Sequence, residues 1–197
     1  MDYELKETIV IDDLFTPEEQ TKYHDLVVNC PSWRFIKDMS YASFELVYPS
    51  FGFNMVFKHP KDGVLSPLYE MVSVPIMNRI IKETNIKIQD ISFNRAFLQI
   101  PLEEKFYKDT NGIHIDLPED HYACVYYLND SDGDTILYEQ NRYNTEAGSK
   151  GVELTEHKRV TPKKGRIVLF DGARYHCSSQ PKDNYRAIIN FDLIMEK

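Results

Sequence analysis

Along the first third of the chain apolar residues recur every three to four positions, and along the rest they come in short alternating runs. Glu7 to Ile11 reads as a short strand. Thr16-Pro17-Glu18-Glu19 then predicts a helix start: Thr16 caps it, Pro17 suits the first turn, and Glu19 completes a capping box. Tyr23, Leu26, Val27 and Cys30 lie at helical spacing, which gives that helix one buried face, and Pro31 stops it. A second helical region opens at Ser66-Pro67 and carries Leu68, Met71, Val72, Ile76 and Ile80 on one side. Pro75 is expected to kink or divide it, because proline removes a backbone donor.

From residue 86 the texture changes. Segments 91–100, 122–128, 134–140, 152–160, 166–170 and 185–194 are short, rich in β-branched and aromatic residues, and bounded by turn residues. The 13 tyrosines and 11 phenylalanines are enough to furnish an aromatic core between two sheets. Strands following a helical part predict an α+β chain, a β-sandwich or jelly roll with N-terminal helices packed on one sheet. No repeat, low-complexity tract or linker interrupts it. The 197 residues read as one domain, with a helical annex and supporting strands over 1–90 and the jelly-roll core over 91–197.

Charge narrows the partners. A formal net charge of −8 argues against a dominant affinity for nucleic-acid backbones, which calls for clustered Lys and Arg. Lys163, Lys164 and Arg166 form one short basic run, read as a solvated turn before a strand. No apolar run approaches the roughly 18 residues of a membrane span. The opening MDYELKETIVIDD is acidic where a secretory signal is basic and then apolar. Cys30, Cys124 and Cys177 are too scattered for a disulfide framework or a zinc knuckle. The expectation is a reducing, cytoplasmic setting with neither membrane nor nucleic acid as partner.

The chemistry concentrates at Gly112-Ile113-His114-Ile115-Asp116. On extended backbone the side-chain period is two, so His114 and Asp116 leave the same face. A third ligand must come from elsewhere, and the candidate is His176, just past the apolar strand Arg166 to Phe170. Two histidines and a carboxylate with open positions suit iron(II) that must also admit a chelating cosubstrate and O₂. Alone, the His-x-Asp pair is weak: with 6 histidines and 31 acidic residues, roughly one such pair arises by chance. His121 and His157 sit among charged residues and read as exposed, and His24 and His59 have no ligand-like neighbours.

The flanks add order. His114-Ile-Asp116, Ala123-Cys-Val-Tyr-Tyr-Leu-Asn129, Gly133-Asp-Thr135, Gly165-Arg-Ile-Val-Leu-Phe170, His176 and Arg186-Ala-Ile-Ile-Asn190 together resemble the 2-oxoglutarate/iron(II)-dependent oxygenases, most closely the prolyl-hydroxylase-like members. The resemblance covers residues 93–194, about half the chain. It implies a double-stranded β-helix with the metal, held by His114, Asp116 and His176, at one open end. It also implies that Arg186 pairs with the far carboxylate of 2-oxoglutarate, a task suited to a permanently charged, two-pronged guanidinium. Tyr127 falls where that pattern has a tyrosine on the same carboxylate. Many members carry Ser or Thr two residues after the arginine, where this chain has Ile188.

Strand alternation carries Ile188 and Asn190 inward with Arg186, which puts Asn190 near the metal, and Gln99 is within reach of the cosubstrate. The implied activity is hydroxylation of a C–H bond, using iron(II), 2-oxoglutarate and O₂, with ascorbate as reductant. A prolyl residue in a protein or peptide is the expected substrate, met across an open groove by Tyr107, Tyr122 and Tyr175 and framed by loops 101–111 and 141–151. The alternatives are a cupin-like metal-binding protein without 2-oxoglutarate, a silent jelly-roll binding module, and a small-metabolite hydroxylase gripping its substrate through Arg174.

Overall fold

The computed structural model describes residues 7–37, 51–107, 109–146 and 153–196. The chain opens with strand β1 (Ile9–Ile11) and helix α1 (Pro17–Val28). Thr16 and Glu19 form the expected reciprocal cap: Glu19 N–H donates to Thr16 Oγ1, and Thr16 N–H donates to Glu19 Oε2. Strands β2 (Arg34–Ile36), β3 (Gly52–His59) and β4 (Gly63–Val64) follow. None of these three was anticipated from the residue pattern. A π-helical turn (Tyr69–Ser73) then passes into helix α2 (Val74–Thr84), and Pro75 lies in the first turn of α2, where its missing donor costs nothing. The π turn also rotates Met71 out of the expected buried row. Met71 is 48% exposed, whereas Leu68, Val72, Ile76 and Ile80 are buried.

The remaining strands are β5 (Ile88–Gln99), β6 (Tyr122–Tyr127), β7 (Thr135–Asn141), β8 (Glu156–Val160), β9 (Ile167–Asp171), β10 (Arg174–Ser178) and β11 (Arg186–Met195). An eight-stranded antiparallel sheet runs β1-β9-β6-β11-β5-β3-β2, with β4 paired to β3; a three-stranded sheet runs β10-β7-β8. This is the jelly-roll arrangement. In β6 all six residues are buried, because both faces are covered. Tyr122, Cys124 and Tyr126 join Tyr23, Val27, Ile76 and Ile80 in the core under the helices. Ala123, Val125 and Tyr127 meet Leu137 and Val160 of the small sheet. The helices thus seal one side of the large sheet and leave the other to hold the site.

The short basic run proves committed to the strand-to-helix turn. Arg166 donates to both carboxylate oxygens of Asp12, and Lys163 pairs with Asp12 and Asp13. Among the described residues no helix is long and apolar enough to cross a membrane.

Candidate metal centre

Residues 111–114 run beside β10. Asn111 N–H donates to Ser178 O, and His114 and His176 form an isolated antiparallel bridge, each N–H donating to the other's carbonyl oxygen at 3.0 Å. His176 therefore sits within the small sheet, on β10, rather than in a segment trailing β9. The bridge places the two imidazoles side by side, their centroids 4.6 Å apart and their planes tilted by 53°, and extended backbone carries Asp116 to the same side. His176 Nε2 lies 3.2 Å from Asp116 Oδ2, and His114 Nε2 lies 3.8 Å from Asp116 Oδ1. One ligand atom from each of the three residues falls within 4.8 Å of the others.

The donor set fits a metal. His114 Nδ1 bonds to Gly112 O at 2.7 Å, and His176 Nδ1 to Arg174 O at 3.1 Å. A carbonyl accepts only, so each Nδ1 carries the proton and each Nε2 presents a lone pair to the centre. Burial, and then the charge on His176, push His114 down to about 4, so it is neutral and ligand-ready at pH 7. Burial alone would raise Asp116, but the adjacent His176 ring and the Arg95 guanidinium hold it well below the usual carboxylate range. Two imidazoles and one carboxylate are a borderline-hard set matched to iron(II).

The same cavity, about 100 Å³, is lined farther in by Gln99, Thr135, Ser178, Arg186, Ile188 and Asn190. Arg186 is 4% exposed, and its guanidinium is held on three sides: Nε donates to Gly133 O, Nη1 to Gln99 Oε1 and Nη2 to Thr135 Oγ1. Among the described residues no carboxylate lies within ion-pair distance of it. Asn190 lines the cavity on the same face of β11 and donates to Asp192 Oδ1 at 3.4 Å. Tyr127 stands one layer back: its hydroxyl donates to Thr135 Oγ1 at 2.7 Å, and Thr135 is the hydroxyl that faces the cavity beside Arg186. Thr135 gives the cavity wall a hydroxyl, and Ile188 gives it an apolar side chain.

Three expectations are corrected. His121 is 2% exposed rather than exposed; it immediately precedes β6 with its ring turned inward over Gly172, where any Cβ would collide with it. Arg142 draws the preceding loop down by donating to Leu117 O and Glu119 O. Tyr122 and Tyr175 are buried in the core and unavailable to line a groove, which leaves Tyr107, half-buried under Lys182. Arg174 lies on β10 with Nη1 donating to Tyr138 O, outside the cavity lining. His157 is exposed as expected. Of the two framing loops, 101–111 contributes Asn111 to the cavity, and 147–151 lie outside the described residues.

Residue patterns passed over Arg95 and Asp192. Alternation along β5 puts Arg95 on the face of Phe97 and Gln99, and one further step along β11 from Arg186, Ile188 and Asn190 reaches Asp192. Arg95 Nη2 donates to Asp116 Oδ1 at 2.8 Å and to Asp192 Oδ2 at 3.1 Å.

No protein-family model matches the chain, and no curated protein matches it in sequence. Solved structures do match. A 2OG-Fe(II) oxygenase family oxidoreductase from Burkholderia pseudomallei superposes with a TM-score of 0.63 at 12% identity, covering 96% of this chain and 86% of that one. The non-heme alpha ketoglutarate dependent carbocyclase SnoK from nogalamycin biosynthesis gives 0.63 at 13%, covering 95% and 79%. A Trichoplax adhaerens prolyl hydroxylase, in complex with a hypoxia inducible factor peptide fragment, gives 0.53 at 15%, covering 94% and 83%. What this chain shares with them at such identities is the fold.

Proposed function

We propose that this chain is a non-haem iron(II) oxygenase that couples oxidative decarboxylation of 2-oxoglutarate to hydroxylation of a C–H bond in a prolyl residue of a protein or peptide. The observation that carries the reading is Arg186. A buried guanidinium without a carboxylate partner among the described residues opens on the same cavity as three converging ligand atoms. A buried charge without a counter-charge is costly, and a small dicarboxylate spanning metal and Arg186 would supply one. Bound iron(II), with 2-oxoglutarate, O₂ and ascorbate as reductant, would supply the oxidation itself.

The chain's own part is to hold, orient and exclude. His114, Asp116 and His176 would grip the metal from one side, leaving the opposite positions open. Arg186, steered by Gly133, Thr135 and Gln99, would take the far carboxylate of the cosubstrate through paired hydrogen bonds, with Tyr127 fixing Thr135 from behind. Asn190 would stand beside the metal, and Phe97, Val125 and Ile188 give the cavity apolar walls that displace water.

The peptide substrate is supported by the absence of a spare cation among the described cavity residues. Arg95 is committed to Asp116 and Asp192, and Arg174 lies outside the cavity lining, so neither is placed to grip the carboxylate of a free amino acid. A prolyl hydroxylase with bound peptide shares the fold. So does the carbocyclase from nogalamycin biosynthesis, which keeps a small-metabolite substrate as the second reading. The test is succinate release by the iron-loaded chain with proline-containing peptides, free proline and other amino acids, with mass spectrometry for a gain of one oxygen. Turnover of peptides alone is expected. Turnover confined to a free small molecule contradicts the peptide substrate, and a chain that neither binds 2-oxoglutarate nor forms succinate contradicts the oxygenase reading.

A further inference from the structure

Asp116 belongs to two ligand groups. Besides His114 and His176, it shares a second set with His121 and Asp192, whose ligand atoms also lie within 4.8 Å of one another. That set is fully interior: the His121 and Asp192 side chains are 0% exposed, with His121 Nε2 3.9 Å from Asp192 Oδ1. His121 is prepared like the two histidines of the first group. Its Nδ1 bonds to Glu119 O at 2.8 Å, two residues back, as His114 bonds to Gly112 and His176 to Arg174. Its Nε2 is consequently a bare lone pair, and it is buried without a hydrogen-bond partner. Two carboxylates and an unengaged imidazole nitrogen are a cation site in all but occupant.

The occupant is an arginine. A single nitrogen, Arg95 Nη2, touches one oxygen of each carboxylate, at 2.8 Å and 3.1 Å. The guanidinium is locked there by aromatic faces, with the Phe93 centroid 4.0 Å away and that of Phe97 5.3 Å away. We propose that Arg95 is a positioning residue that fills the cation place of this second group, committing Asp116 Oδ1 so that only Oδ2 is left for the metal and the centre stays mononuclear. This rests on the reading of His114, Asp116 and His176 as metal ligands.

The consequence bears on coordination. A guanidinium held on Asp116 Oδ1 competes with a metal for that oxygen and so favours binding through Oδ2 alone. Three single-atom protein ligands leave room for a chelating oxoacid and for O₂, whereas a two-oxygen Asp116, or an Asp116 bridging two metals, would consume a position. Arg95 is also the arginine in contact with buried Asp192, at 3.1 Å.

The experiment is manganese(II) stoichiometry by equilibrium dialysis with elemental analysis, on the parent, Arg95→Met and Arg95→Met/Asp192→Asn, with folding followed by circular dichroism. The parent is expected to bind one equivalent and Arg95→Met two, with a larger manganese-dependent rise in melting temperature than the parent, because two ions then bind only the folded state. The double variant, which loses a second-site ligand, is expected to return to one. An Arg95→Met chain that folds and binds one equivalent with the parent's affinity overturns the proposal, as does one that stays unfolded in excess manganese. A parent that binds no metal overturns the ligand reading itself, and this inference with it.

Discussion

His114 and His176 are cross-strand partners, each donating its backbone N–H to the other's carbonyl at 3.0 Å. Two residues far apart in sequence are thereby set in register by the sheet, and a pair of side chains on a rigid ladder holds a metal with little rearrangement. Alanine at His114, Asp116 or His176 is expected to weaken manganese(II) binding by roughly a hundredfold or more, beyond the ten- to hundredfold usual for groups behind the ligands. Calorimetry checks this, and parental affinity in His176→Ala would contradict it.

The cradle behind Arg186 has no slack. A Cβ on Gly133 would lie 2.9 Å from Arg186 Cδ and 3.2 Å from Ser179 O, so Gly133→Ala is expected to push the guanidinium forward and weaken 2-oxoglutarate binding while leaving metal affinity unchanged. Thr135→Val removes an acceptor from a charged donor, a cost of about 1.5–3 kcal/mol, or roughly ten- to hundredfold in affinity. Tyr127→Phe is expected to cost less, about 0.5–1.5 kcal/mol. Titrations of 2-oxoglutarate into the manganese-loaded variants separate the three.

Acid sensitivity has a definite sign. Burial holds His121 below its ordinary 6.5, and holds His114 down at about 4. The unfolded chain takes up protons as pH falls through 6.5, and the folded chain resists until the lowered values are reached. The stability these groups contribute is present above pH 6.5 and is lost between 6.5 and about 4. Melting of the metal-free chain across that window should fall less steeply in His121→Gln than in the parent. Identical slopes would assign the acid limb to other groups.

Gly172 is a packing position. Its N–H donates to His121 O, and a Cβ would strike the His121 ring, which is enclosed and has nowhere to turn. Gly172→Ala is expected to lose about 1–3 kcal/mol, the usual range for overpacking an interior, measured by urea unfolding.

Much of this was legible in the residues. Period-two spacing put His114 and Asp116 on one face, and alternation along β11 carried Asn190 in beside Arg186. The capping box at Thr16 was readable because it is local. What escaped was settled by distant partners. His121 follows Pro118-Glu119-Asp120, all exposed, and only the absent side chain at Gly172, just past the end of β9, lets its ring inside. Arg95 resembles any strand arginine until Asp116 and Asp192 arrive from two other segments. Strand β3 was missed because its face pattern is mixed, and its burial comes from pairing with β5.

The most direct test of the central claim is anaerobic titration of 2-oxoglutarate into the manganese-loaded chain and into Arg186→Ala. Removing the guanidinium leaves the far carboxylate buried without a counter-charge, a loss of about 3–5 kcal/mol by analogy with broken buried pairs, or roughly a hundred- to several-thousand-fold in affinity. Tight, metal-dependent binding is expected in the parent and a collapse of that order in Arg186→Ala, with metal affinity retained. Equal 2-oxoglutarate binding by the two chains, or binding indifferent to the metal, would contradict it.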